Sequence, residues 1–328
     1  METKGLRTML RFIQLFILLW SLTMMGQAGA QQFPQRPVTI IVPFTPGSGT
    51  DLVGRLIADE LAKRLGGTFL VDNKPGAGGA IGVTAVARAK PDGYTLLITS
   101  SATHSAAPWL TSKMGYDPKT DFAHISVLAE ANYLLLVPVN SSVHSLAEVA
   151  RFAAAKGGRL TYGYGSQTSQ ILSAAFMDLL GVPADGVPYK SQPQVLTDLA
   201  GERLDIAVAD VSASQALLDA KRLRPLVIST PSRMSAVPSV PTLAESGYKP
   251  LGISGWIGLA APAGTPPGII RQVNQALREA LASEALASRF VAMGLKPAYT
   301  TNDAVNAFIE SQLEAWGTYA KKAGLKPE

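Results

Sequence analysis

Cysteine is absent from all 328 residues, and histidine occurs three times, as His104, His124 and His144. The first absence excludes disulfides and thiolate chemistry. The second, with no H-x-x-x-H or H-E-x-x-H spacing, argues against a tight transition-metal site. Charged residues make up 16% of the chain, and its formal net charge of +5 is spread without a basic stripe, which argues against nucleic acid as a partner. Nor is there an apolar run of the roughly 20 residues that a membrane-spanning helix needs. No fixed-period repeat appears, so a solenoid or propeller is not indicated.

The N-terminus carries an export signal. Lys4, Arg7 and Arg11 precede the apolar run Phe12 to Met25, which is interrupted by Gln14 and Ser21, and the small-residue stretch Gly26 to Ala30 follows. A basic start, an apolar middle and an A-x-A site together predict a cleaved secretory leader over 1–30, ending after Ala30. Its removal takes away three basic residues and one acidic residue, so +5 becomes +3. The expected location is the periplasm. The mature length exceeds one average domain, which predicts two lobes, and it suffices to bury a core without disulfide staples.

Short β-rich runs alternate with helical ones, the pattern of an α/β fold. Val38–Val42, Phe69–Val71 and Tyr94–Thr99 read as strands. Leu52 to Leu65 reads as an amphipathic helix, with Leu52, Leu56, Leu61 and Leu65 near one face. Helices are also expected over Ile81 to Ala89, Glu148 to Lys156, Ile171 to Leu180, Gln194 to Ala200, Pro266 to Leu281 and Val305 to Lys322. Further strands are expected over Ser126–Ala129, Tyr133–Val137, Ile206–Ala209, Leu226–Ser229 and Trp256–Ala260. The segment Val237 to Thr242 with Gly247 to Pro250 reads as a linker.

Open α/β sheets bind ligands at the carboxyl ends of their strands. One such junction, Pro43 to Asp51, contains Gly47-Ser48-Gly49-Thr50, and Ser48 with Asp51 has the spacing of a capping box. A second, Tyr162 to Gln170, offers Ser166, Gln167, Thr168 and Ser169 ahead of a helix. A helix start of this kind holds an anion through free N–H groups and its positive dipole end, although plain capping explains the same residues. Ser100 to His104, at another strand end, is a third candidate.

Two enzyme-like signals fail on spacing. Gly76 to Gly82 resembles a dinucleotide loop, but Ile81 stands where the third glycine of G-x-G-x-x-G belongs. Neither Gly47-Ser48-Gly49 nor Gly165-Ser166-Gln167 forms the G-x-S-x-G elbow of a serine hydrolase. No catalytic constellation is selected, and the chain is expected not to be an enzyme and to need no cofactor.

The ordered set Arg36-Pro37-Val38, Val42-Pro43-Phe44, Gly47 to Asp51, Asp72 to Gly79, Pro91 to Leu96, Val187 to Lys190, Pro238 to Thr242 with Glu245 to Gly247, and Ala261 to Pro267 resembles the Bug family, periplasmic receptors of tripartite tricarboxylate transporters. The resemblance spans nearly the whole mature chain. It implies a two-lobed, Venus-flytrap periplasmic binding protein of type II. One lobe would take 31–130 and 252–328, with 131–251 inserted as the other. It also implies a small-carboxylate ligand held by Phe44, Gly47, Ser48, Gly49, Thr50 and Asp51 from one lobe. Ser166, Gln167, Thr168 and Ser169 would hold it from the other, with Ser100, Ser101, His104 and Asp210 lining the rest. Asp51 is open to two roles, capping the helix or receiving a ligand amine. The implied partners are membrane permease subunits or, alternatively, a sensor kinase to which a monomeric receptor presents its ligand. The chain departs from the family pattern at Ala107, Tyr164, Ile171 and Ala175, which puts the shape of the pocket in doubt.

Overall fold

The computed structural model describes residues 33–230, 232–251, 253 and 255–327. The leader expected over 1–30 lies outside the described residues. Residues 36–328 form one contact unit that contains two mixed sheets.

The first sheet begins with β1 (Val38–Val42), α1 (Gly49–Leu65), β2 (Phe69–Asn73), α2 (Ala80–Ala87) and β3 (Thr95–Ser100). α1 joins the neighbouring strands β1 and β2, while α2 carries the chain from β2 past β1 to β3, and β1 runs parallel to both. Near-continuous apolar runs such as Val38–Val42 suit strands covered on both faces, and Val38, Ile40, Ile41 and Val42 are all buried. Beyond β3 the chain makes one π-helical turn, Ala102–Ala106, then α3 (Ala107–Leu110), and returns as β4 (Phe122–Ala131).

A single residue, Asn132, separates β4 from β5 (Tyr133–Pro138), the first strand of the second sheet. There follow α4 (Leu146–Ala155), β6 (Leu160–Tyr164), α5 (Gln167–Leu180), β7 (Ala184–Pro188), α6 (Gln192–Ala200), β8 (Ile206–Asp210), α7 (Val211–Asp219) and β9 (Leu223–Ile228). The chain then goes back to the first sheet as β10 (Gly255–Pro262), α8 (Pro267–Leu281), α9 (Glu284–Ala292), β11 (Leu295–Pro297) and α10 (Asn302–Lys322).

The first sheet has the order β11-β4-β10-β3-β1-β2, and the second β7-β6-β8-β5-β9. Both orders follow one plan: second, first and third strand, then an antiparallel strand, then the fourth. The antiparallel strand is β10 in the first sheet and β5 in the second. Each therefore comes from the segment by which the chain passes between sheets.

Several elements differ from the sequence reading. β6 begins before the glycine-rich loop, and Gly163 belongs to the strand because Leu204 and Val195 pack where a side chain would stand. The expected linker near Val237 is packed instead: Val237 and Val240 belong to the apolar cluster of Leu134, Leu196, Leu199 and Ile228. α10 lies on the first sheet through Val305 and Ile309, which pack with Val127 and Trp256. Gly317 leaves the groove that the Trp109 indole occupies, and that indole donates to the Leu313 carbonyl at 2.8 Å.

Candidate ligand site

Four strand ends face one cavity, two from each sheet. They are the ends of the first and third strands of each plan: β1 into α1, β3 into the π-turn, β6 into α5, and β8 into α7. The cavity has a volume of about 70 Å³.

At the first end, Ser48 caps α1 by accepting the Asp51 N–H at 3.3 Å. The capping box predicted there forms only on that side. The Asp51 carboxylate accepts instead from the Gly47 N–H at 2.9 Å, from Arg55 Nε at 3.1 Å and from Asn73 Nδ2 at 2.9 Å. Burial pushes the Asp51 pKa up, but the Arg55 guanidinium, the Gly47 N–H and the Asn73 amide outweigh it and hold the group below its ordinary value. At the third end, Ser166 and Ser169 form a complete box: Ser166 Oγ accepts the Ser169 N–H, and Ser169 Oγ accepts the Ser166 N–H, each at 3.2 Å.

Capping leaves donors over. Among the described residues, the N–H groups of Gly49 and Thr50 in α1 and of Gln167 and Thr168 in α5 have no partner. Gly49, Thr50 and Thr168 all line the cavity. Two helix N-termini thus present open donors and positive dipole ends to the same space. A third, that of α7, is more fully used, since the Val211 N–H donates to the Asn132 carbonyl. Asp210 caps it, with Oδ1 accepting the Ala213 N–H at 2.8 Å and also the Ser212 hydroxyl. No cationic side chain lines the cavity among the described residues.

Hydroxyls fill the space between. Ser101 Oγ and Thr168 Oγ1 stand 3.0 Å apart, joining the two halves directly. The Tyr133 hydroxyl lies beside both of them, and its pKa is raised by burial and by the nearby Asp210 charge. Trp256 closes the cavity on the side of β10 and donates from Nε1 to Ser105 Oγ at 3.1 Å. Gln192 supports the α5 junction, accepting the Gly165 N–H at 3.3 Å and donating to the Val208 carbonyl at 2.9 Å.

Of the expected site residues, Phe44, Ser48, Gly49, Thr50, Ser100, Ser101, Ser166, Thr168 and Asp210 line this cavity. Gly47, Asp51, Gln167, Ser169 and His104 do not. Gly47 and Asp51 serve the loop itself, and Ser169 completes the cap. The Asp51 carboxylate is buried and already holds three donor groups, which favours a role within the loop over the amine-receiving role also weighed for it.

His104 likewise lies away from the cavity lining. It is wholly buried beneath the π-turn, among Tyr116, Phe122, His124 and Trp256, with Nδ1 2.9 Å from Thr103 Oγ1. Burial, and then the neighbouring His124, hold its pKa well below the ordinary value. Sequence reasoning missed Tyr133, Gln192, Ser191, Ser212, Trp256 and the backbone of Gly165, which also line the cavity.

The model of the tripartite tricarboxylate transporter family receptor matches residues 53–325. BugT of Bordetella pertussis is 33% identical over 303 residues, covering 90% of this chain and 92% of BugT. Among solved structures, Rpa4515 of R. palustris, determined with adipate, has a TM-score of 0.86 at 33% identity and covers 90% of this chain and 100% of its own. MatC of Rhodopseudomonas palustris, determined with bound malate, has a TM-score of 0.81 at 31% identity, covering 88% of this chain and 99% of its own. The periplasmic binding protein BugD has a TM-score of 0.84 at 29% identity, covering 90% and 100%. The two sheets are thus the two lobes of a type II periplasmic binding protein, and the chain belongs to the Bug family of tripartite tricarboxylate transporter receptors.

Proposed function

We propose that this chain is an extracytoplasmic receptor that binds a small carboxylate between its lobes and delivers it to transporter subunits in the membrane, without transforming it. The leader over 1–30, cleaved after Ala30, would place the mature chain in the periplasm. The lobes would be 31–130 with 252–328, and 131–251. What carries this reading is the pair of open helix N-termini, α1 and α5, which approach one cavity from different sheets. A carboxylate has two acceptor oxygens, so a single group can engage both ends, and its charge suits two positive dipole ends. Fixed N–H donors need no basic side chain, which fits a cavity lined by none among the described residues. Adipate and malate in two similar proteins fit the same ligand class.

The test is a thermal-shift screen of the mature protein against small carboxylates and their uncharged amides. Ligand that binds only the folded form raises the melting temperature by mass action. The expected outcome is a shift with acids, and a smaller one with matched amides. Thr168→Ala should lower affinity for the active acid roughly tenfold, since it removes a buried hydroxyl from the point where the lobes meet. A screen in which no acid shifts the transition rejects the reading.

A further inference from the structure

The 70 Å³ cavity has a larger neighbour. Thr45, Gly165 and Ser166 line both it and an outer chamber of about 540 Å³. The inner space has room for roughly five water-sized spheres, which suits a carboxylate head with one or two carbons. Anything longer has to pass the shared wall. The outer chamber is asymmetric in chemistry. One side is the loop Pro75 to Gly78, and the other carries Tyr164, Gln167, Tyr189 and Lys190. Gly78 and Gln167 meet at its neck, where a Cβ on Gly78 would stand 2.0 Å from Gln167 Nε2. The Oε1 atom of Gln167 is buried with no hydrogen-bond partner, a polar handle facing no protein donor. Lys190 is exposed, with no carboxylate partner among the described residues.

Resting on the receptor reading above, we propose that this outer chamber is a tail subsite. It makes extended acids, with a long or flat apolar body and a terminal anion, the preferred ligand class over compact ones. The head occupies the inner cavity, the body lies between Tyr164 and the proline–glycine loop, and Lys190 meets the distal charge. Of these groups, Tyr164 is the one the sequence marks as a departure from the family pattern, so its substitution is the most telling about the shape of the subsite.

Calorimetric titration of the mature protein with succinate, octanedioate and octanoate tests the assignment. Each methylene taken from water is worth about fourfold, so octanedioate, four methylenes longer than succinate, should bind at least tenfold more tightly even with partial burial. Octanoate, which lacks the distal anion, should bind more weakly than octanedioate. Lys190→Ala lies at an exposed position and should leave the unliganded melting temperature unchanged. It should weaken octanedioate roughly two- to fivefold and leave octanoate within error. Tyr164→Ala should weaken both long acids. Succinate binding as tightly as octanedioate, or Lys190→Ala weakening all three acids alike, would overturn the subsite and leave the receptor reading in place. Failure of all three acids to bind would overturn the subsite, and the wider carboxylate screen would then decide the receptor reading separately.

Discussion

Asp51 sits one residue past the open donors of α1 and fixes where they point. Its carboxylate ties Gly47, Arg55 and Asn73 together, so the loop and the end of β2 are held by one buried group. Asp51→Asn puts an N–H₂ where Arg55 donates, and it should destabilise the fold by about 1–3 kcal/mol. The pH dependence has a definite sign. The folded pKa lies below the ordinary 3.8, so the stabilisation is complete above that value and is lost as pH falls through the folded one. Urea unfolding of the two proteins should therefore show a full difference at pH 7 and a shrinking one below about pH 4. At this scale the sequence led to the cavity where backbone governs, and Ser48, Gly49, Thr50, Ser166 and Thr168 line it. It misled where a side chain's direction governs. Ser100 to His104 reads as a strand-end loop, but the π-turn folds His104 back under it. Tyr133 was missed because it opens an apolar strand; its position at the strand's first residue was the available signal, since a buried tyrosine hydroxyl needs a partner.

At the scale of elements, helix α1 gives a clean separation of folding from closure. Gly49 is its first residue, and an added Cβ would meet Ser212 Oγ at 2.7 Å and Asp210 Oδ1 at 3.1 Å, both on the second lobe. No atom of its own lobe is among those nearest contacts. Gly49→Ala should leave the unliganded melting temperature equal or slightly higher, because alanine favours helix. Affinity for the active carboxylate should fall about tenfold, because ligand can no longer recruit the fully closed arrangement. Unchanged affinity in this variant would mean that binding does not require the two lobes to meet at α1. Long periodic helices such as α1, α8 and α10 were legible from spacing. β7 was not: Ala-Asp-Gly-Val-Pro is an edge strand with little apolar content, formed through pairing with β6. α7 was missed because its serines, Ser212 and Ser214, suit caps and turns as well as helix.

On the scale of the whole molecule, the alternation of strands and helices was enough to indicate α/β, and the segment resemblance indicated the lobes. Strand order was beyond local reading. Nothing in Trp256–Ala260 itself says that β10 runs antiparallel between β3 and β4, because that place is fixed by the return of the chain after the second sheet. Small-angle scattering of the mature protein should show a smaller radius of gyration with saturating ligand than without, and Gly49→Ala should reduce that change. One passage between lobes bears on how such a movement is registered. Asn132 alone parts β4 from β5; its side chain donates to the Gly294 carbonyl, and its own carbonyl accepts from Val211. The next residue is Tyr133, which lines the cavity beside Ser101 and Thr168. A connection of one residue and a cavity wall are therefore neighbours in the chain. If the proposed closure turned the backbone at Asn132, it would move a cavity-lining side chain with no lever arm between them, so occupancy and bend angle would be read by the same few atoms.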